Sequence, residues 1–261
     1  MILDSTFEGI EAVFLDLDGT IYLGDGLIEG AKDFLIRLKE RSIKRCFLSN
    51  NSSKSVSQYV KKLNVLGIDA TADEILLSTH DLISHLKDKG YNSLYLLGTE
   101  GMREMLIESG LHITSDNPEV VVLGYDTEMT YQKLATTTTL LHSGIPLFAS
   151  HPDVVCPAPS GDLPDVGAFL ALIKIVTGVT PTHICGKPSP SMIGSRMKSL
   201  GLQPEQCVMV GDRLYTDMVM ARAAGVNSVL VLSGEASRLD VDALPAHEVP
   251  SLIVDSVADL L

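Results

Sequence analysis

The chain has 261 residues, enough to bury one large core or two smaller ones, and its 45% hydrophobic and 20% charged content is ordinary for a globular protein. A formal net charge of −13 repels nucleic-acid phosphates and anionic membrane, so neither is expected as a partner. No apolar run approaches the ~20 residues that a membrane span needs, and the first residues lack the basic and apolar regions of a secretory signal.

Val13-Phe14-Leu15 leads into Asp16-Leu17-Asp18-Gly19-Thr20, which predicts a buried parallel strand ending in two carboxylates and a tight turn. Chemistry in an open α/β sheet gathers just beyond the carboxyl ends of such strands. Residues 19–30 are turn-rich. Phe34, Leu35 and Leu38 share one face of a helix over 31–41, and a strand over 44–48 runs into Ser49-Asn50-Asn51-Ser52-Ser53. Val56, Tyr59, Val60 and Leu63 fall at i, i+3, i+4 and i+7 of an amphipathic helix, with Ser55 as N-cap and Gly67 as stop.

Strand and helix then alternate again: strand 93–97, helix 99–109, strand 120–124, helix 130–143, strand 146–149. Residues 151–164, rich in Pro, Gly and Asp, read as a shaped loop, followed by a helix from Val166 to near Gly178. Gly186-Lys187-Pro188-Ser189-Pro190 opens another helix, with Ser189 as N-cap and Pro190 at its first position. A strand over 206–210 precedes Gly211-Asp212-Arg213-Leu214-Tyr215-Thr216-Asp217-Met218, then come a helix stopped by Gly225 and a strand over 228–232. Site-like sequence lies at both ends and none in the middle. The expected division is therefore a core of residues 1–78 and 181–261, with 79–180 inserted into it.

The four cysteines form no C-x-x-C pair, which predicts a reducing, cytoplasmic compartment, and the seven histidines form no ligand cluster. Any metal ligands should then be carboxylates. Phosphoryl transfer asks for parts of this kind: a carboxylate nucleophile, a second carboxylic acid for proton transfer, a hydroxyl and a cation for phosphate, and oxygen ligands for Mg²⁺. Asp16, Asp18, Ser49, Lys187, Asp212 and Asp217 supply them in order, mostly at strand ends.

The strings DLDGT, SNN, GKPSP and GDRLYTD resemble the four motifs of the haloacid dehalogenase (HAD) superfamily. DLDGTIYLGD, the GYD at Gly124–Asp126, and the HPD at His151–Asp153 with Cys156-Pro157 are similar to its NagD-type, 4-nitrophenylphosphatase-like family. The resemblance implies a doubly wound parallel-sheet core with an inserted α/β cap, since the long insertion follows Ser49 rather than Asp18. It further implies Asp16 as nucleophile and Asp18 as general acid/base, with Ser49, Asn50 and Lys187 binding phosphate. Asp16, Asp212 and the Asp18 backbone carbonyl would hold Mg²⁺, with Asp217 a ligand or a carboxylate behind the ligands. His151 and Asp153 lie on the loop expected to choose the substrate, and His151 stands where family members often carry Asn.

The expected activity is Mg²⁺-dependent hydrolysis of small phosphomonoesters such as sugar phosphates, nucleoside monophosphates, phosphoglycolate or 4-nitrophenyl phosphate. A phosphotransferase or mutase using the same aspartyl phosphate is one alternative, and a non-catalytic phosphometabolite-binding protein is the other. A homo-oligomer remains open.

Overall fold

The structure, a computed structural model, describes residues 7–158 and 161–261, and the chain divides into two compact units. The first comprises residues up to Ser49, Val60–Leu76 and Lys187–Leu261; the second comprises Asn50–Tyr59 and Leu77–Gly186. Residues 50–59, counted with the core in the expectation from sequence, thus group with the second unit. Side-chain bonds explain it: Ser78 Oγ donates to the Asn50 carbonyl (2.7 Å) and Thr99 Oγ1 to the Ser53 carbonyl (2.7 Å).

The first unit is built on a parallel sheet of six strands, ordered Leu252–Val254, Asn227–Val231, Cys207–Gly211, Ala12–Asp16, Lys44–Ser49, Ile75–Leu77. Ala12–Asp16 pairs on both sides, Leu15 lying opposite Val210 in one neighbour and Phe47 in the other. All five of its residues are buried, as an uninterrupted apolar run requires when helices cover both faces of a sheet. Alternate residues Ala12, Phe14, Cys46, Leu48, Cys207 and Met209 pack with Met192, Ile193, Met220 and Ala221 from the helices Ser191–Leu200 and Val219–Ala224. The register brings Asp16, Ser49 and Gly211 to neighbouring strand ends, so the loops that follow open on one edge.

The second unit repeats the plan with a parallel sheet of five strands, ordered His183–Ile184, Leu147–Ala149, Val120–Leu123, Ser93–Leu97, His112–Ile113. Period-two alternation divides its core. Leu94, Leu96, Val120, Val122 and Phe148 face the helices Ser78–Asp88 and Glu100–Glu108 through Leu82, Leu86, Met102 and Leu106. Val121, Leu123, Leu147 and Ala149 face Tyr131–His142 and Val166–Thr177 through Leu141, Val166 and Ile173.

The expected helices and longer strands are present, with small shifts at their ends. The helix after Lys187 begins at Ser191, one residue later than expected, with Pro190 as its N-cap; Ser189 Oγ is 3.4 Å from the Ser191 N–H. The 151–164 loop contains a two-residue antiparallel pairing, Val155–Cys156 with Leu163–Pro164, while residues 159–160 of that loop lie outside the described residues. No described helix is long and apolar enough to cross a membrane.

Candidate active site

Asp16 ends its strand as a buried carboxylate, because the sheet continues on both sides and leaves only the strand tip open. The turn after it is held by Leu17, whose carbonyl accepts from the N–H groups of Ile21 (2.9 Å) and Tyr22 (3.1 Å), with Gly19 in a left-handed conformation at φ 87°. Asp18 is thereby turned outward to solvent while Leu17 is buried.

Asp212 follows the end of Cys207–Gly211 and is almost fully buried. Its Oδ2 accepts the Glu235 N–H at 2.8 Å, whereas Oδ1 is buried with no hydrogen-bond partner. Glycine makes this room: a β-carbon on Gly234 would fall 2.7 Å from Asp212 Cβ, and one on Gly19 would meet the same carboxylate. Residues Leu214–Met218 then form a π-helical turn rather than an α-helical start. That turn buries Asp217 completely, and its Oδ2 accepts the Arg213 N–H at 3.2 Å. Gly211 is the counterpart, since a β-carbon there would lie 2.6 Å from Asp217 Cγ.

Lys187, in the loop before Ser191, reaches into this group as a buried ammonium. It pairs with Asp16 Oδ1 and, at 2.8 Å, with Asp217 Oδ1. Burial alone would lower its pKa, but the Asp16 and Asp217 charges outweigh burial and hold it above the usual lysine value. Carboxylate oxygens of Asp16, Asp212 and Asp217 all lie within 4.8 Å of one another. Desolvation, then repulsion from Asp16 and Asp217, pushes Asp212 up to about 8. Asp217 is raised to about 6, by desolvation against the attraction of Lys187. Asp18 is also raised, by the water its surroundings displace and by the Asp16 charge, with Lys62 and Arg213 opposing.

Three crowded carboxylates, one with a buried oxygen that nothing satisfies, fit a hard divalent cation: its charge would relieve the repulsion and take up Asp212 Oδ1. The Asp18 carboxylate is not part of this cluster. Ser49 closes the adjacent strand one residue beyond Leu48, the partner of Asp16.

In the second unit Asn50 Nδ2 donates to both oxygens of Asp153 at 3.2 Å. His151 is wholly buried, with Nδ1 2.9 Å from Ser150 Oγ and Nε2 3.0 Å from Asp165 Oδ1. The loop therefore separates two residues that share one role in the sequence reading: Asp153 is half-buried, and His151 faces inward. Asp126 of the GYD string is taken by Lys133 at 3.0 Å. Sequence reasoning passed over Arg213 and Lys62, the cations facing Asp18. Lys62 Nζ lies 3.8 Å over the Tyr22 ring, an approach between two elements that no local pattern announces.

A parallel sheet with carboxylates and a buried lysine at its carboxyl ends is the arrangement of a phosphoryl-transfer hydrolase. Residues 13–112 match the family model for haloacid dehalogenase-like hydrolases, and residues 184–260 match a second one, described as HAD-hydrolase-like. An acid sugar phosphatase of Staphylococcus aureus is 36% identical over 235 residues, 88% of this chain and 90% of that protein. The crystal structure of a 4-nitrophenylphosphatase from Thermotoga maritima superposes with a TM-score of 0.92 at 37% identity, covering 100% of this chain and 98% of that one. A glycerol phosphate phosphatase from Mycobacterium tuberculosis, in complex with magnesium, gives 0.90 at 27% identity over 97% of this chain and 76% of that one. The chain belongs to the haloacid dehalogenase-like hydrolase family, with homology to its 4-nitrophenylphosphatase and NagD members, and is a phosphoric monoester hydrolase of that type.

Proposed function

We propose that the protein hydrolyses small phosphomonoesters with Mg²⁺, through an aspartyl phosphate on Asp16. The observation that carries this reading is the buried convergence of the Asp16, Asp212 and Asp217 carboxylates, two of which, Asp16 and Asp217, pair with Lys187. Asp16 is the nucleophile and Lys187 the cation that receives the phosphoryl oxygens, with the Ser49 hydroxyl and Asn50 as further donors. Asp16, Asp212, Asp217 and the Asp18 backbone carbonyl would hold Mg²⁺, which when bound neutralises charge on the transferring group.

The Asp18 carboxyl suits general acid/base work. Its pKa is raised, chiefly by desolvation, which favours the acid form that gives a proton to the leaving oxygen, and its exposure lets it take one from water afterwards. The second unit is read as the substrate-selecting cap, with Asp153 as its polar group and His151 behind it. Relatives include an acid sugar phosphatase, a 4-nitrophenylphosphatase and a glycerol phosphate phosphatase, and together they favour small esters over phosphoproteins. Phosphate release should be assayed over a metabolite panel with and without Mg²⁺. Turnover of several small esters that stops in chelator supports the reading, and undiminished turnover in chelator overturns the metal assignment.

A further inference from the structure

Inside the second unit, a line of buried hydrogen bonds joins the segment after Ser49 to the loop after Ala149. The Tyr125 N–H lies 2.8 Å from Ser52 Oγ, Ser52 Oγ 2.9 Å from Ser150 Oγ, and Ser150 Oγ 2.9 Å from His151 Nδ1. His151 Nε2 is 3.0 Å from Asp165 Oδ1, which also accepts the Val166 N–H at 2.6 Å. Ser52, Ser150 and His151 are each 0% exposed, so nothing here is open to a substrate.

The chemistry of the ends sets the direction of the line. A backbone N–H can only donate, so Ser52 Oγ accepts from Tyr125; an ionised carboxylate can only accept, so Nε2 carries a proton toward Asp165. With His151 neutral, Nδ1 accepts from Ser150, which accepts from Ser52, and every proton has a place. A doubly protonated ring would reverse the line and leave the Ser52 hydroxyl proton without an acceptor among the described residues.

We infer that His151 is a positioning residue: as the neutral Nε2–H tautomer it locks Ser52, and with it the Asn50–Ser53 segment that presents Asn50. Two clamps then join the same pair of segments, Ser52 to Ser150 and Asn50 to Asp153. This rests on the reading of Asn50 as a phosphate donor. Losing the inner clamp should loosen phosphate capture and leave the chemical step on Asp16 largely intact.

The test is a His151→Phe and His151→Gln pair, since a Gln amide can accept from Ser150 and donate to Asp165 while Phe can do neither. For His151→Phe we expect KM for 4-nitrophenyl phosphate and the inhibition constant of inorganic phosphate to rise ~10-fold, with kcat within ~3-fold, as a loss of uniform binding requires. His151→Gln should recover most of both. Equal damage from Phe and Gln, or a loss in kcat alone, would overturn the role. Imidazole ¹⁵N NMR of the wild type should show one protonated nitrogen, Nε2, at neutral pH; a doubly protonated ring would overturn the tautomer. That spectrum does not depend on turnover, so an inactive wild type would refute the phosphatase reading and leave the hydrogen-bond line to be judged separately.

Discussion

Lys187 Nζ and Asp217 Oδ1 form a buried ion pair of 2.8 Å, and the same ammonium pairs with Asp16. A lone ammonium in the interior would be costly, as would the crowded carboxylates without it, so each stabilises the charged form of the other. Lys187→Met should therefore do two separable things. In the absence of metal it should lower stability by about 3–5 kcal/mol, the usual cost of breaking a buried pair from one side. Saturating Mg²⁺ should restore much of the melting temperature but not turnover, because the phosphate-binding cation is gone. Calorimetry and a phosphate-release assay, each with and without Mg²⁺, check this.

The metal-free protein should become more stable as pH falls from about 8 toward the ordinary aspartate range, the opposite of usual acid denaturation. Asp212 has its folded pKa raised to about 8 from 3.8, so between those values the folded chain holds a proton that the unfolded chain has released. Stability from this group is present below 3.8 and lost as pH rises through about 8. A divalent cation competes with that proton, so its stabilising effect should be greatest near pH 8 and fade on acidification. Melting curves of the wild type and Asp212→Asn test this. The variant should show a flatter pH profile and a much weaker response to the cation.

Gly234→Ala should raise the Mg²⁺ concentration needed for half-maximal activity at least ~10-fold, by displacing the Asp212 carboxylate, with little change in far-UV circular dichroism. An unchanged metal titration would show that the carboxylate shifts without leaving the cluster.

Asp16→Asn should lose nearly all turnover, since an amide cannot carry the phosphoryl group. Asp18→Asn should lose more with a sugar phosphate than with 4-nitrophenyl phosphate, whose leaving group departs without a proton; general acid catalysis accounts for about 10²–10⁴-fold. Rapid quench should show a nitrophenol burst near one equivalent followed by slow turnover. Equal losses and no burst would place the acid elsewhere.

The parts legible from sequence were those that chain continuity carries. Val13-Phe14-Leu15 before Asp16 marks a doubly covered strand whatever its neighbours are, and the alternation from Ser93 to Ala149 marks the second sheet. Short edge strands such as His112–Ile113 and His183–Ile184 have no periodicity to read; their neighbours create them. The partnership of Asn50 with Asp153 spans 103 positions and depends on two loops meeting. His151 misled for a related reason. A histidine on a Pro- and Gly-rich loop suggests exposure, and only the Asp165 carboxylate fourteen residues on explains why it turns inward.

The π-helical turn at Leu214–Met218 encodes the aim of Asp217 in a residue count. Such a turn carries one residue more than an α-helix would place in the same span, and each residue advances a helix by about 100°. Removing Tyr215, an exposed residue that is not one of the clustered carboxylates, would leave Asp16, Asp212, Asp217 and Lys187 in the chain. It would also swing the carboxylate after it away from Lys187 and Gly211. In this stretch a length change at an exposed position threatens the site as directly as replacing an aspartate, so natural variation here should run to substitution rather than to insertion or deletion.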